Sequence, residues 1–176
     1  DLLVLQEHIK NGRNVVLYAW RRLGKSALVQ RFFEEIEDSG DYETLYVDFL
    51  SAVTLEDTVK ELSNAVFDRF GKTKSGINAT IQKMISSIGA SISFDPLSGA
   101  PSLNLGLNAQ GHEEQSLHAL GEFLSQRKKR VVVAIDEFQH VATYSDRNAE
   151  AMFRTWVQKF PSIRFIFSGS HRGMMA

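Results

Sequence analysis

Three short stretches carry residue types that could handle a phosphorylated ligand. The first is Gly24-Lys25-Ser26. A phosphate-binding loop reads Gly, four residues, Gly, Lys, then Ser or Thr. Here the last three positions follow a strand-like run and open a helical one. Backbone N–H groups around Gly24 can form a concave nest for phosphate oxygens. The start of a helix adds unpaired N–H donors and a partial positive charge. Lys25 is then placed to reach β- and γ-phosphates, and Ser26 to set its hydroxyl on Mg²⁺. The ligand these residues call for is ATP with Mg²⁺. The rival reading is a solvated turn with a lysine at a helix start.

The first place in the loop pattern holds Ala19, where the pattern has glycine. If that place needs a positive φ, alanine costs about 1 kcal/mol or more, and the loop binds more weakly. The candidate nucleotide-binding run is therefore Ala19, Trp20, Arg21, Arg22, Leu23, Gly24, Lys25, Ser26 and Ala27. Arg21 and Arg22 either touch phosphate or solvate the loop and face a partner. Trp20 reads as a packing residue ahead of an adenine stacker.

The second stretch is Val131-Val132-Val133-Ala134-Ile135-Asp136-Glu137. An apolar strand ending in two carboxylates is the Walker B pattern. Asp136 would hold Mg²⁺ through water, since Mg²⁺ keeps much of its hydration shell. Glu137 would orient the attacking water, and with Lys25 it makes the catalytic pair. Phosphoryl transfer asks the protein mainly for positioning and charge stabilisation, so one carboxylate suffices. The third stretch is Phe165-Ile166-Phe167-Ser168-Gly169-Ser170. Ser168 or Ser170 could sense a γ-phosphate, or could serve only as turn hydroxyls bonded to backbone. Gln139 could also reach this site.

The elements that must position these groups follow from periodicity. Leu2, Leu5 and Ile9 share a helical face, and Asn11-Gly12 ends that helix. Residues 14–19 are a short apolar strand. Residues 25–38 are helical, with Leu28, Val29, Phe32, Phe33 and Ile36 inward, and Ser39-Gly40 stops them. Residues 44–49 form a second strand. Thr54 to Asp57 resembles a capping box, with a helix after it up to Gly71. Residues 77–89 suit a helix, and 91–94 with 102–107 a β-hairpin. A helix over 113–128, a buried strand over 130–136, a helix over 148–160 and a last strand over 164–168 complete the chain. Apolar strands alternating with helices predict an α/β, three-layer core with a parallel sheet covered on both faces. Residues 72–112 read as an insertion carrying the hairpin around 91–107.

Composition bounds the rest. With 176 residues the chain can build one domain with a real core. Hydrophobic residues at 43% and charged residues at 23% are the balance of a soluble globular protein. Twenty basic against 21 acidic side chains give net −1, so no global field favours nucleic acid or membrane. The absence of cysteine excludes disulfides, thiolate metal sites and cysteine nucleophiles, and fits a cytoplasmic setting. No apolar run approaches a membrane span. The five histidines show no metal-ligand spacing. The basic run Arg127-Lys128-Lys129-Arg130 suits a helix C-terminus better than a nucleic-acid patch. Asp48 and Ser51 read as capping groups. The start at Asp1 and the close at Met175-Ala176 suggest a piece of a longer protein.

Residues 18–28, Ile135-Asp136-Glu137-Phe138-Gln139 and Ser168-Gly169-Ser170 with Met174 together resemble the archaeal-type ATPases of the STAND group, in the AAA+-like branch of P-loop NTPases. The resemblance runs over nearly the whole chain, and its most specific part is Asp136 to Gln139. Members usually carry Pro at the place of Trp20 and Gly at that of Ala19. The resemblance implies a sheet in the order 5-1-4-3-2, with the fifth strand and a C-terminal lid or winged-helix region lying outside this chain. It implies Mg²⁺-dependent ATP binding and hydrolysis that drive a conformational switch, with a protein partner or self-association through that C-terminal region. The alternative is a DNA-associated or toxin-like accessory module with structural nucleotide and negligible hydrolysis. A small-molecule kinase ranks last, since nothing resembles an acceptor site.

Overall fold

The computed structural model describes residues 2–20, 23–73, 76–77, 79–94, 101–105, 112–144 and 148–170. The expectations for Arg21, Arg22, the hairpin turn at 95–100, and His171 to Met174 lie outside the described residues.

Helix α1 spans Leu2–Lys10 and buries Leu5 and Ile9. It ends as its sequence demands. Gly12 takes φ 77, its N–H reaches Ile9 O at 3.0 Å, and Arg13 N–H reaches His8 O at 2.9 Å. Those paired bonds are the Schellman closure that a left-handed glycine permits. Strand β1 is Val15–Ala19, helix α2 is Lys25–Asp38, and strand β2 is Tyr42–Asp48. Helix α3, Leu55–Phe70, begins with a complete capping box: the Thr54 side chain accepts from Asp57 N–H, and the Asp57 side chain accepts from Thr54 N–H. Two short strands, β3 (Lys72–Thr73) and β4 (Gly76–Ile77), precede helix α4 (Ala79–Ser87). Ile77, expected on that helix, therefore belongs to a strand. Strands β5 (Ala90–Phe94) and β6 (Pro101–Leu105) pair antiparallel, as the hairpin pattern predicts. Helix α5 (Glu113–Ser125), strand β7 (Arg130–Asp136), helix α6 (Ala149–Lys159) and strand β8 (Arg164–Ser170) follow.

The main sheet has four strands in the order β1-β8-β7-β2, all parallel. This is the 1-4-3-2 portion of the expected order. Among the described residues no strand pairs with the outer edge of β1. Alternation along β7 explains the three layers. Val131, Val133 and Ile135 join a core with Leu62, Val66, Leu120 and Phe153 from α3, α5 and α6. Val132 and Ala134 join a second core with Leu5, Ile9, Val29, Phe32 and Ile36 from α1 and α2. Both faces are covered, so the strand reads as an unbroken apolar run. No described helix is long and apolar enough to cross a membrane.

Strand β8 runs to Ser170, beyond the expected end at 168. Its last residues pair with β1: Leu17 with Ser168, Tyr18 with Gly169, Ala19 with Ser170. Ser168 and Ser170 are thus strand residues, and not turn hydroxyls.

The basic run also differs from expectation. Helix α5 stops at Ser125, so Arg127–Arg130 follow the helix instead of capping it. Arg127 donates from Nε and Nη2 to the two Glu43 oxygens, each at 2.8 Å. Its guanidinium lies 4.6 Å from the Phe70 ring centroid. Arg130 donates to Tyr42 OH at 3.3 Å. These arginines bind their own fold. The hydrogen bonds from Arg127 hold the Glu43 carboxyl below its ordinary value of 4.5, outweighing burial. A depressed folded-state value stabilises the fold above pH 4.5 and is lost as pH falls through it. Glu37, Asp57 and Asp136 are shifted the same way. The melting temperature is therefore expected to fall on acidification below about pH 5. Glu43→Gln should cost about 1 kcal/mol at neutral pH, roughly 2–4 °C, and flatten part of that acid limb. A pH series of thermal melts on both proteins checks it.

Candidate active site

The carboxyl ends of β1, β8 and β7 lie together because the three are parallel neighbours in the sheet. Open α/β sheets bind ligands outside the carboxyl ends of their strands. Gly24 adopts φ 76, ψ 20, and α2 has no side-chain cap at its start. Among the described residues, its two chain neighbours aside, no heavy atom lies within 4 Å of where a Gly24 Cβ would stand. The glycine is needed for its backbone shape and not for space. The first turn of α2 carries no acidic residue, so its N–H donors face no built-in anion.

Lys25 Nζ donates to Ala19 O at 3.3 Å, to Trp20 O at 3.5 Å and to Ser170 Oγ at 3.3 Å. These contacts are long, and the ammonium can exchange them for stronger charge-assisted ones. Ser26 Oγ donates to Asp136 Oδ2 at 2.6 Å. Tyr46 OH donates to the same oxygen at 2.6 Å, and Glu137 N–H donates to Asp136 Oδ1 at 3.0 Å. Asp136 is buried, at 5% exposure. Burial pushes its carboxyl up, but the hydroxyls of Ser26, Tyr46 and Ser168 and the Glu137 N–H together outweigh burial and hold it below the ordinary carboxylate value. Burial and the same Asp136 contact push the Tyr46 phenol well above its usual range. Asp136 is thus an ionised carboxylate beside a hydroxyl, and such oxygen donors are of the hard kind that Mg²⁺ prefers. Among the described residues no three His, Asp or Glu side chains gather into a metal cage. A cation here would share its ligands with a phosphate.

Glu137 sits at φ 54, ψ 32, the one non-glycine with positive φ among the described residues. Its carboxylate accepts from Ser170 Oγ at 3.1 Å and from Gln139 Nε2. Ser168 is buried at 2% exposure; among the described residues its hydroxyl makes no well-aligned hydrogen bond, yet it lies near enough to Asp136 to help hold that carboxyl down. The structure thus brings together Ala19, Lys25, Ser26, Asp136, Glu137, Gln139 and Ser170. Asp48 instead accepts from Leu50 N–H at 2.8 Å, which closes the turn after β2; the helix that follows is capped by Thr54 and not by Asp48.

Two expectations are corrected here. Ala19 is an extended strand residue paired with Ser170, and it is not among the positive-φ positions. The expected strain of alanine does not arise; the left-handed backbone falls on Gly24. Ala19→Gly is therefore expected to leave ATP affinity within about twofold while costing roughly 0.5–1 kcal/mol in strand stability. Binding titration with a thermal melt checks both parts. Trp20 is 50% exposed, so it is not the packing residue expected. Sequence reasoning missed Tyr46. Its position on β2 shares the parity of Thr44 and Asp48, opposite to buried Leu45 and Val47, which was the available signal. It also missed His140, whose Nε2 lies 3.8 Å from Glu137 Oε2.

Beside the loop, a cleft of about 550 Å³ runs along the outer edge of β1. Leu5 and His8 of α1, Tyr18, Leu23, Lys25 and Leu28 are among its walls.

A parallel sheet with Gly24-Lys25-Ser26 after one strand and Asp136-Glu137 at the end of another is a P-loop NTPase fold. More particularly, the chain belongs to a family of ATPase domains predominantly from Archaea, whose model matches residues 4–176. The Walker-type ATPase of Pyrococcus abyssi is similar, with 24% identity, a TM-score of 0.52, and coverage of 96% of this chain and 43% of that one. The ORC1 protein of Aeropyrum pernix, solved in complex with DNA, gives 14% identity and a TM-score of 0.59 over 98% of this chain and 38% of that one. The ORC2 protein of Aeropyrum pernix, solved as ADPNP–ADP complexes, gives 14% and 0.55 over 96% and 39%. At such identities these likenesses show the fold. The chain spans less than half the length of each of these proteins. None of the curated proteins matches it.

Proposed function

We propose that this chain is the nucleotide core of an ATP-driven switch of the STAND group, with slow Mg²⁺-dependent hydrolysis. One observation carries the reading: Ser26–Asp136 and Lys25–Ser170–Glu137 form two hydrogen-bonded links that converge at one end of the sheet. The phosphates take the nest around Gly24 and the start of α2, with Arg21, Arg22, Leu23 and Ala27 completing the loop. Lys25 exchanges its carbonyl contacts for β- and γ-phosphate oxygens. Ser26 and Asp136 hold Mg²⁺, which when bound neutralises charge developing on the transferred phosphoryl group. Glu137 accepts a hydrogen bond from the attacking water and orients it. Ser170, between Lys25 and Glu137, senses the γ-phosphate, with Ser168 behind it. The cleft beside β1 is the apolar seat nearest the loop for the purine.

The switch acts through regions beyond this domain, with a protein partner or a second copy. The DNA-associated alternative loses Arg127 from its basic run, since that side chain is committed to Glu43 and Phe70; Lys128 and Lys129 of the run are exposed. Purified domain is expected to release phosphate from ATP in Mg²⁺ and to stop in EDTA. Equal release in both would remove the proposed role of Ser26 and Asp136.

A further inference from the structure

We infer that Gln139 is the positioning residue that aims Glu137, a role resting on the ATPase reading above. A non-glycine residue in the left-handed region costs about 1 kcal/mol or more and persists only where its surroundings impose it. Glu137 is such a residue, at φ 54. Two constraints hold it. The next residue, Phe138, is pinned against Phe167 at 4.6 Å and Phe153 at 5.6 Å between ring centroids. The short 3-10 turn Phe138–Thr143 then brings Gln139 back over the carboxylate.

Both ends of the Gln139 amide are used. Its Nε2 donates to Glu137 Oε2, and its Oε1 accepts from Ser170 N–H at 3.3 Å. Ser170 Oγ donates to the other Glu137 oxygen at 3.1 Å. A closed ring results: Glu137, Gln139, Ser170, and Glu137 again. It ties the turn after β7 to the end of β8, the two segments that carry the hydrolytic groups. Gly169 makes room for it, since a Cβ there would meet Gln139 Oε1 at 2.7 Å. The carboxylate is therefore held at both oxygens, facing Ser170 and, through it, Lys25. The hydrogen bonds of the Gln139 side chain go to Glu137 and Ser170 and not to Lys25 or Ser26, so it aims the carboxylate without contributing to the phosphate seat.

The test separates aim from binding. Gln139→Ala should lower kcat about tenfold or more and leave the ATP Kd within about twofold. Gln139→Glu keeps the shape and the acceptor toward Ser170, but sets a like charge against Glu137. It should do no better than Gln139→Ala. Gly169→Ala displaces the amide by another route and should reproduce the kcat loss, and the double variant should lose no more than either single one. Thermal melts on each variant establish that the fold is retained. A kcat within twofold of wild type for Gln139→Ala, or additive losses in the double variant, overturns the aiming role while the ATPase reading stands. Absence of wild-type turnover overturns that reading, and the aiming role with it.

Discussion

Glu137→Gln is expected to bind ATP–Mg²⁺ as tightly as wild type and to turn it over about 100- to 1,000-fold more slowly. The substitution keeps size and shape and removes the charge that orients water. Its surroundings tolerate the change. Ser170 Oγ is a rotatable hydroxyl able to accept as well as donate, so it can accept from the new amide in place of its present bond at 3.1 Å. The turn is also fixed by Phe138 against Phe153 and Phe167, contacts that the substitution leaves in place. Single-turnover hydrolysis beside equilibrium binding checks this. Unchanged turnover removes Glu137 from catalysis; lost affinity with unchanged turnover would place it in binding.

Lys25→Ala is expected to weaken ATP–Mg²⁺ by roughly 10- to 150-fold, the fold-change that corresponds to about 1.5–3 kcal/mol for charged hydrogen bonds. Among the described residues the hydrogen bonds of Lys25 are long ones, to Ala19 O, Trp20 O and Ser170 Oγ. Little stability rests on them, so the melting temperature should shift by no more than a few degrees. Equilibrium titration with a melt distinguishes a lost phosphate contact from a damaged fold.

Much of this was legible in the sequence because its causes are local. The run Val131–Ile135 can only be a strand buried on both faces, and Asp136-Glu137 mark where it leaves the sheet. Gly24 before Lys25 announces a left-handed turn into a helix, and Thr54 with Asp57 announces a helix start. The parts that were not legible are set by distant contacts. The extended state of Ala19 follows from its pairing with Ser170, and local sequence alone suggested strain. The same pairing lengthens β8 and lifts Ser168 and Ser170 out of a turn. Tyr46 joins the site through a hydrogen bond spanning 90 residues. Arg127 was read as a helix-end charge, yet its partner Glu43 lies 84 residues away. Periodicity does not encode such pairings; the sheet order makes them.

The central claim is that the loop ending in Gly24-Lys25-Ser26 binds ATP with Mg²⁺, and calorimetric titration of ATP into the purified domain tests it most directly. One saturable site per chain is expected in Mg²⁺, weakened by EDTA and by about tenfold or more in Lys25→Ala. Saturable binding that Lys25→Ala leaves unchanged, or no saturable binding at all, would contradict the account.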